Sequence, residues 1–243
     1  MHRSSFERMR AFRDSYLVEF AGRPLRILDV GSAAVLGSIS YRDLFATKSW
    51  RYVGLDAQPG PNVDVVATDP YAWRDFADAS FDVAISGQAF EHIEWPWLTM
   101  SEIARVLKPN GLAAITAPSG GHVHRYPTDC WRYYPDGFPA LAKYAGLSVV
   151  ENDVDFSLAF GECAEWGDAF AILQKPAQPN VGMARASVSA PFVAAMPSLD
   201  ALAKCNARQR SAPVGLAWRW QLARRHLKTA VRALYEPQRL TRF

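Results

Sequence analysis

The sequence predicts an α/β protein built around a mostly parallel sheet, and two observations support this prediction. Five short runs rich in Val, Ile and Leu occupy residues 26–31, 51–56, 63–67, 81–87 and 111–117. Short runs that are apolar throughout are typical of strands buried on both faces, as in a parallel sheet. Segments with helical spacing lie between these runs, and the alternation of strands with helices indicates βαβ units.

Residues 96–175 predict one clear helix and a pair of antiparallel strands at an edge of the sheet. The spacing over 96–107 favours a helix, which we expect Pro109-Asn110-Gly111 to stop. Two later runs, 147–156 and 168–175, are expected to pair as antiparallel strands at one edge of the sheet.

Composition favours a soluble globular protein of the cytoplasm. The chain has 243 residues, of which 49% are hydrophobic and 21% charged. No apolar run approaches the roughly 20 residues of a membrane span, and the charged start lacks the apolar region of a secretory signal. The three cysteines lie far apart without CxxC spacing, which indicates reduced thiols and gives no support for a zinc cluster.

The distribution of charge predicts a separate basic tail. Residues 1–203 contain 17 Lys and Arg against 23 Asp and Glu, whereas residues 204–243 contain 10 against 1. We expect a linker or draped loop over 176–213, rich in Pro, Ala and Ser at its start, and a basic amphipathic helix within 214–243. One possibility is that this helix lies on the inner face of an anionic membrane. The other is that its apolar side packs on the rest of the chain or on the second subunit of a homodimer.

Acidic and glycine residues follow the predicted strands, where ligands bind in open α/β sheets. Gly31 allows a sharp turn after the first strand, and Asp56 follows the second strand, where a carboxylate can bind both hydroxyls of a ribose. The pattern predicts a binding site for an adenosine-type ligand. The alternative is that no ligand binds there, and that Gly31 serves only a tight turn while Asp56 is only solvated. Neither GxGxxG nor a P-loop is present, which disfavours an NAD-dependent oxidoreductase and excludes a P-loop enzyme.

Several stretches together resemble the class I S-adenosylmethionine-dependent methyltransferases. They are ILDVGS (27–32), YVGLD (52–56), Asp69-Pro70, SFDVAISGQAFEHI (80–93), ARVLKPNG (104–111) and LAAITAPS (112–119). Their order and spacing match the family over roughly residues 24–175. The resemblance implies a Rossmann-like, seven-stranded, mostly parallel sheet with helices on both faces, a methyltransferase domain over residues 1–175, and S-adenosylmethionine as the cofactor.

The resemblance also implies where the cofactor is bound. The methionine end would lie at Asp29 and Gly31, the ribose at Asp56, the adenine at Asp69 and Pro70, and the sulfonium near Gln88. Ser32, Ala57 and Ser86 complete the expected cofactor site. The chain departs from the family's DxGxGxG loop, because Ala33 and Val35 replace the two later glycines.

Residues 118–137, PSGGHVHRYPTDCWRYYPDG, follow the fifth strand and carry unusually many hydrogen-bonding side chains. A metal site of His122, His124 and Asp129 is one interpretation, although no other residues have ligand spacing, and we expect no metal. A nucleic-acid surface is another, and the acidic body of the chain disfavours it. A third is a structural corner in which Trp131 and Tyr133 are core residues.

The fourth interpretation is a wall that binds the methyl acceptor and carries a general base. The stretch resembles a block, HxYPxDxWRxxPDG, of bacterial methyltransferases that accompany glycosyltransferases in surface-polysaccharide synthesis. That resemblance favours His124 as the base. Asp129 would act with His124 in catalysis. Arg125 and Arg132 would bind an acidic group of the acceptor. Four further side chains would surround a sugar: His122, Tyr126, Trp131 and Tyr133.

His92, after the fourth strand, is the competing base. Its structural alternative is a helix cap beside Glu91, and we expect Glu91 and Glu94 to lie on a solvated face. The function predicted is methyl transfer to a hydroxyl of a saccharide, glycolipid or similar small molecule. The alternatives are O- or C-methylation of a quinone or other aromatic metabolite, an NAD-dependent oxidoreductase, and a non-catalytic binding protein.

Overall fold

The computed structural model describes residues 3–34, 40–155 and 166–178, with the side chain of residue 155 excepted. The helices are α1 (Arg3–Tyr16), α2 (Arg42–Phe45), α3 (Pro96–Val106) and α4 (Gly137–Ala145), with a 3-10 turn at Val18–Phe20. The strands are β1 (Leu25–Val30), β2 (Trp50–Asp56), β3 (Val65–Val66), β4 (Phe81–Gly87), β5 (Leu107–Pro118), β6 (Ser148–Asp155) and β7 (Asp168–Gln174). The basic tail and nearly all of the predicted linker lie outside the described residues, so these two assignments stay predictions.

The seven strands form one sheet in the order β3-β2-β1-β4-β5-β7-β6. The first five strands are parallel, whereas β7 runs antiparallel to both β5 and β6. The predicted seven-stranded, mostly parallel sheet and its late antiparallel pair are therefore confirmed. Because β1 pairs with both β2 and β4, the strand order reverses beside β1, which is where ligands bind in sheets of this type.

Helices cover both faces of the sheet, as predicted. Alternate residues of β1 point to opposite faces, so Ile27 packs in one core cluster with Phe12 of α1. Leu28 packs in the other cluster, with Met100 of α3 and Phe138 of α4. Among the described residues, no helix combines the length and apolar character that crossing a membrane requires.

The chain leaves α3 earlier than the sequence predicts. The helix ends at Val106, and Leu107 is already extended and pairs with Phe81 of β4. The next pair is Leu112 with Val83, so residues 108–111 bulge opposite Asp82. The helix therefore ends one residue before the predicted boundary, strand pairing begins at Leu107, and Pro109-Asn110-Gly111 lies in a bulge of β5.

Arg105 of α3 holds the segment between β3 and β4, which has little regular structure. Its guanidinium donates to the carbonyl oxygens of Trp73 at 2.9 Å and Phe76 at 2.8 Å. It also donates to both carboxylate oxygens of Glu102, at 2.9 and 2.7 Å, and the backbone N–H of Trp73 donates to the same carboxylate at 2.8 Å. One side chain thus supplies partners to a loop that lacks strand or helix hydrogen bonds.

We expect Arg105→Met to lower the free energy of unfolding by about 2–4 kcal/mol, because it removes the donor from two carbonyl groups and the ion-pair partner from the Glu102 carboxylate. Urea denaturation measures the change. Arg74→Met is the matched control, since Arg74 is exposed on the same segment and its loss should change stability by at most about 0.5 kcal/mol. Equal effects of the two replacements would contradict this assignment.

Candidate functional site

Asp29, near the end of β1, lies fully inside the protein. The hydroxyl of Tyr52 on β2 donates to its carboxylate, and the side-chain amide of Asn62 donates to the Tyr52 hydroxyl oxygen at 3.0 Å. Burial raises the pKa of Asp29 to about 7 in spite of the Tyr52 hydrogen bond. The carboxyl group is therefore poised to become charged when a cation lies beside it.

Gly31 is the position at which the loop after β1 passes the loop after β4. Its φ is 77°, and a Cβ there would lie 2.3 Å from the Cβ of Ala89. The N–H groups of Gly31 and Ser32 both donate to the carbonyl oxygen of Leu55, at 2.9 and 3.1 Å. Only glycine meets both the backbone angle and the close approach. The rest of this loop, residues 35–39, lies outside the described part of the chain.

Asp56, at the end of β2, joins the first two strand-end loops. One carboxylate oxygen accepts from the N–H of Ala33 at 2.9 Å, and the other accepts from the N–H of Gln58 at 3.1 Å. The carboxylate is half-buried, and the neighbouring Ala57 is exposed. Asp56 therefore lies beside the β1 loop, which is the position a ribose-binding acid requires.

The residues after β3 and β4 complete this edge of the sheet. Asp69 is exposed and accepts the N–H of Tyr71 at 2.8 Å, while the carbonyl oxygen of Pro70 accepts from Trp73 at 3.0 Å. Ser86 is buried, and its hydroxyl donates to the carbonyl oxygen of Val30 at 2.7 Å, so it braces β4 against β1. The side chain of Gln88 donates to Asp168, at the start of β7, at 3.0 Å.

Helix α1, which the sequence interpretation did not include, covers the ends of β4 and β7. The hydroxyl of Ser4 donates to Asp168, and the hydroxyls of Ser5 and Tyr41 are hydrogen-bonded at 2.6 Å. A Cβ on residue 87 would lie only 2.0 Å from the Tyr41 hydroxyl oxygen, so the tyrosine packs directly on Gly87. The periodic apolar residues Phe6, Met9 and Phe12 were the available signal for this helix.

The segment that joins β5 to α4, residues 119–136, folds back onto the loop after β4. The N–H groups of Cys130 and Trp131 both donate to the carbonyl oxygen of Glu91, at 2.7 and 3.1 Å. The hydroxyl of Thr128 donates to the carbonyl oxygen of His92 at 2.7 Å, and that of Tyr133 to Phe90 at 3.0 Å. These hydrogen bonds attach this β5–α4 segment to the chain that follows β4.

Asp129 and Arg132 form the internal brace of the β5–α4 segment. Arg132 donates to both oxygens of Asp129, at 2.6 and 2.9 Å, and to the carbonyl oxygen of His122 at 2.8 Å. These hydrogen bonds lower the pKa of Asp129 to about 2, so it stays charged. Arg132 is therefore engaged within the segment, and Arg125 is the exposed arginine there.

The two histidines predicted as competing bases meet. The rings of His92 and His124 have centroids 4.9 Å apart, although they come from different segments. The Nδ1 of His92 lies 2.6 Å from the carbonyl oxygen of Thr128, so this nitrogen must carry the proton that it donates. The Nδ1 of His124 lies 3.6 Å from Asp129. His92 does not cap a helix, because α3 begins four residues later, at Pro96.

The prediction that Glu91 lies on a solvated face is wrong. Its side chain is completely buried, because the β5–α4 segment lies over it, and it lies 3.6 Å from the Nε2 of His92. Burial raises the pKa of this carboxyl to about 8. None of the described residues makes a hydrogen bond to either of its oxygens. Glu94, in contrast, is half-buried.

The aromatic residues divide between the surface and the core. Tyr126, Trp131 and Tyr134 are 63%, 39% and 71% exposed, whereas Tyr133 is buried and stacks on Phe138 with ring centroids 4.6 Å apart. Tyr133 is thus a core residue, as the structural-corner interpretation expected, and cannot stack on a sugar. Sequence reasoning missed Trp166, whose ring centroid lies 4.7 Å from that of His122 and 4.8 Å from that of His124.

Asp29 should make the stability of the ligand-free protein depend on pH. Its folded-state pKa is raised from 3.8 to about 7, so between these values folding takes up a proton and stability falls as pH rises. Asp29→Asn removes this contribution to the pH dependence. The free energy of unfolding of the variant minus that of the parent should therefore increase by about 2–4 kcal/mol as the pH rises from about 4 to about 8. Urea denaturation across this range measures it. The exposed Asp75→Asn should show no such trend.

Known proteins resemble this chain in sequence. Residues 28–115 match a family model described as "Methyltransferase domain". An uncharacterized methyltransferase of Mycobacterium avium (strain 104) is 31% identical over 172 residues, which cover 59% of this chain and 62% of that protein. Another, of Mycobacterium marinum, is 32% identical over 142 residues and covers 51% of each chain. The chain therefore spans less than two thirds of the curated relatives it matches.

Solved structures resemble it in fold. The Burkholderia thailandensis 1,6-didemethyltoxoflavin-N1-methyltransferase, with its substrate and S-adenosylhomocysteine bound, has a TM-score of 0.52 and 17% identity, covering 71% of this chain and 78% of its own. The [4+2]-cyclase SpnF has a TM-score of 0.53 and 16% identity, covering 70% and 82%. Residues 28–115 thus match a methyltransferase domain in sequence, and the described sheet has the Rossmann-like fold of these solved structures.

Proposed function

We propose that this chain transfers a methyl group from S-adenosylmethionine to a hydroxyl of a saccharide, glycolipid or similar small molecule. The observation that carries the proposal is the meeting of His92 and His124, whose ring centroids are 4.9 Å apart. His92 lies close in the chain to Gln88, the residue after β4. A site of this kind places a proton acceptor near the strand ends where the cofactor residues gather. The relatives named as methyltransferases support the reaction type.

The residues at the strand ends fit the cofactor. Asp29, Asp56 and Asp69 follow β1, β2 and β3, which are neighbours in the sheet, so three hydrogen-bond acceptors lie along one edge. Acceptors in a row suit a ligand that presents an ammonium group, a pair of ribose hydroxyls and an adenine amine. When bound, S-adenosylmethionine would supply the methyl group as a carbon activated by positively charged sulfur.

We assign the general base to His124. Asp129 lies 3.6 Å from its Nδ1 and stays charged, because its pKa is lowered to about 2 by Arg132. This carboxylate favours the tautomer with the proton on Nδ1, so Nε2 takes the hydroxyl proton and Asp129 stabilises the imidazolium that forms. The carboxyl group beside His92 is that of Glu91, whose pKa of about 8 leaves it mostly uncharged at neutral pH.

The exposed aromatic rings around the histidines suit a sugar acceptor. The Tyr126 ring lies 6.0 Å from that of His124 and 5.9 Å from that of His92, and Trp131 is part-exposed on the same segment. Rings of this kind pack on the apolar face of a saccharide. Arg125 is exposed nearby and would bind a phosphate or carboxylate of the acceptor.

The same rings would also stack on a quinone or other aromatic acceptor, which is the second candidate substrate class. Formation of S-adenosylhomocysteine, measured with panels of saccharide and aromatic hydroxyl compounds, separates the two classes. Calorimetric titration with S-adenosylmethionine and with NAD tests the oxidoreductase alternative. Cofactor binding without turnover of any acceptor would favour the non-catalytic binding protein.

Asp56→Ala should weaken the binding of S-adenosylmethionine by about 10- to 100-fold, because two charge-assisted hydrogen bonds to the ribose are lost. Isothermal titration calorimetry measures the dissociation constant. Asp75→Ala, which removes an exposed carboxylate from the segment between β3 and β4, should leave the constant unchanged. An Asp56 variant with parental affinity would refute the ribose assignment.

His124→Ala should reduce methyl transfer by about 100-fold or more while the affinity for S-adenosylmethionine stays within about twofold, because the base acts on the acceptor and not on the cofactor. Turnover assays and calorimetry measure the two quantities. His92→Ala is the companion variant. If His92→Ala abolishes turnover and His124→Ala does not, the base is His92 and the present assignment is wrong.

A further inference from the structure

We propose that Glu91, His92 and His124 form a binding site for a divalent transition-metal ion, for which Zn²⁺ is the natural probe. One potential ligand atom of each residue lies within 4.8 Å of the others. Two imidazoles and one carboxylate are the ligand set of many Zn²⁺ and Fe²⁺ sites that keep an open coordination position. The interpretation from sequence named a different trio, His122, His124 and Asp129, of which His124 alone recurs here.

Asp129 is unsuited to a metal, because both of its oxygens accept hydrogen bonds from Arg132 and one also accepts the N–H of His124. Glu91 differs in this respect. Its side chain is completely buried, and no described residue supplies either oxygen with a hydrogen bond. A buried carboxyl without partners is costly, and a cation between the histidines and Glu91 would supply the missing partner.

His92 is oriented as metal ligands usually are, and His124 has a carboxylate near its other ring nitrogen. A metal-binding histidine generally donates its other ring N–H to a carbonyl or carboxylate oxygen, which fixes the ring and its tautomer. The Nδ1 of His92 donates to the carbonyl oxygen of Thr128 at 2.6 Å, which leaves Nε2 as its ligand atom. The Nδ1 of His124 lies 3.6 Å from Asp129, and Arg132 in turn holds Asp129 in place.

The spacing needs little adjustment. Tetrahedral Zn²⁺ with bonds of about 2.0–2.1 Å places its ligand atoms about 3.4 Å apart. The Nε2 of His92 and the nearer oxygen of Glu91 are 3.6 Å apart, which is close to this value. His124 lies on the β5–α4 segment, and a shift of about an ångström there would close the remaining distances. Three protein ligands leave a fourth position for water or for an oxygen of the acceptor.

The binding of a metal does not depend on the proposed function, but its consequence does. A hydroxyl in the fourth position would have a lowered pKa, because the cation stabilises the alkoxide. An imidazole whose lone pair binds a metal cannot accept a proton, so His124 is either a base in the metal-free protein or a ligand in the loaded one. Methyl transfer by chelator-treated and Zn²⁺-loaded protein would show which form is active.

The test is calorimetric titration of the chelator-treated full chain with Zn²⁺, without cofactor or acceptor. We expect one equivalent to bind with micromolar affinity or better, and Glu91→Gln, His92→Ala and His124→Ala each to weaken binding by at least about tenfold. His122→Ala is the matched control, because His122 is on the same segment but outside the trio, and it should leave the affinity within about twofold.

A second measurement uses the unaltered chain, so that it does not depend on whether the variants fold. Co²⁺ bound by the trio should show the visible absorption bands of a four- or five-coordinate site, and Zn²⁺ should abolish them. Absence of stoichiometric binding, or binding that survives replacement of all three residues, would overturn the metal site. Methyl transfer without Zn²⁺ binding would overturn this inference alone, and Zn²⁺ binding without methyl transfer would leave it standing while the proposed function fails.

Discussion

The structure of the site depends on one contact, the attachment of the β5–α4 segment to the loop after β4. The N–H groups of Cys130 and Trp131 converge on the carbonyl oxygen of Glu91, and Thr128 binds His92 through both its hydroxyl and its carbonyl oxygen. Two of these hydrogen bonds join backbone to backbone and two join a side chain to a backbone carbonyl, so together they fix the path of both segments. The burial of Glu91 and the meeting of the two histidines both follow from this attachment.

Two carboxyl groups in this region have opposite electrostatic surroundings. Asp129 is bound by Arg132, which lowers its pKa to about 2, whereas Glu91 lies in an apolar, enclosed position that raises its pKa to about 8. At neutral pH one is an anion and the other is mostly protonated. This difference decides how each can act, since a charged carboxylate stabilises an imidazolium and a neutral one needs a cation to become a strong ligand.

The sheet and the site were predictable from sequence to different extents. Periodicity and composition are local properties, so the strand runs and the antiparallel edge were predicted within a few residues. Asp56 was predicted as a site residue because the ends of parallel strands meet at one edge, and Asp29 was assigned by the family resemblance. The end of α3 was predicted to within one residue, and Leu107 pairs with Phe81 of β4 instead of continuing the helix.

The sequence by itself determined the fold class, the edge at which a ligand binds and the two histidines worth testing. Only the tertiary structure decided that Glu91 is buried, that Tyr133 belongs to the core, and that Trp166 lies beside His124. These features depend on contacts between residues far apart in the chain, such as His92 and Thr128, which are 36 positions apart. No local pattern encodes such a contact, because it arises only when the sheet brings the ends of β4 and β5 together.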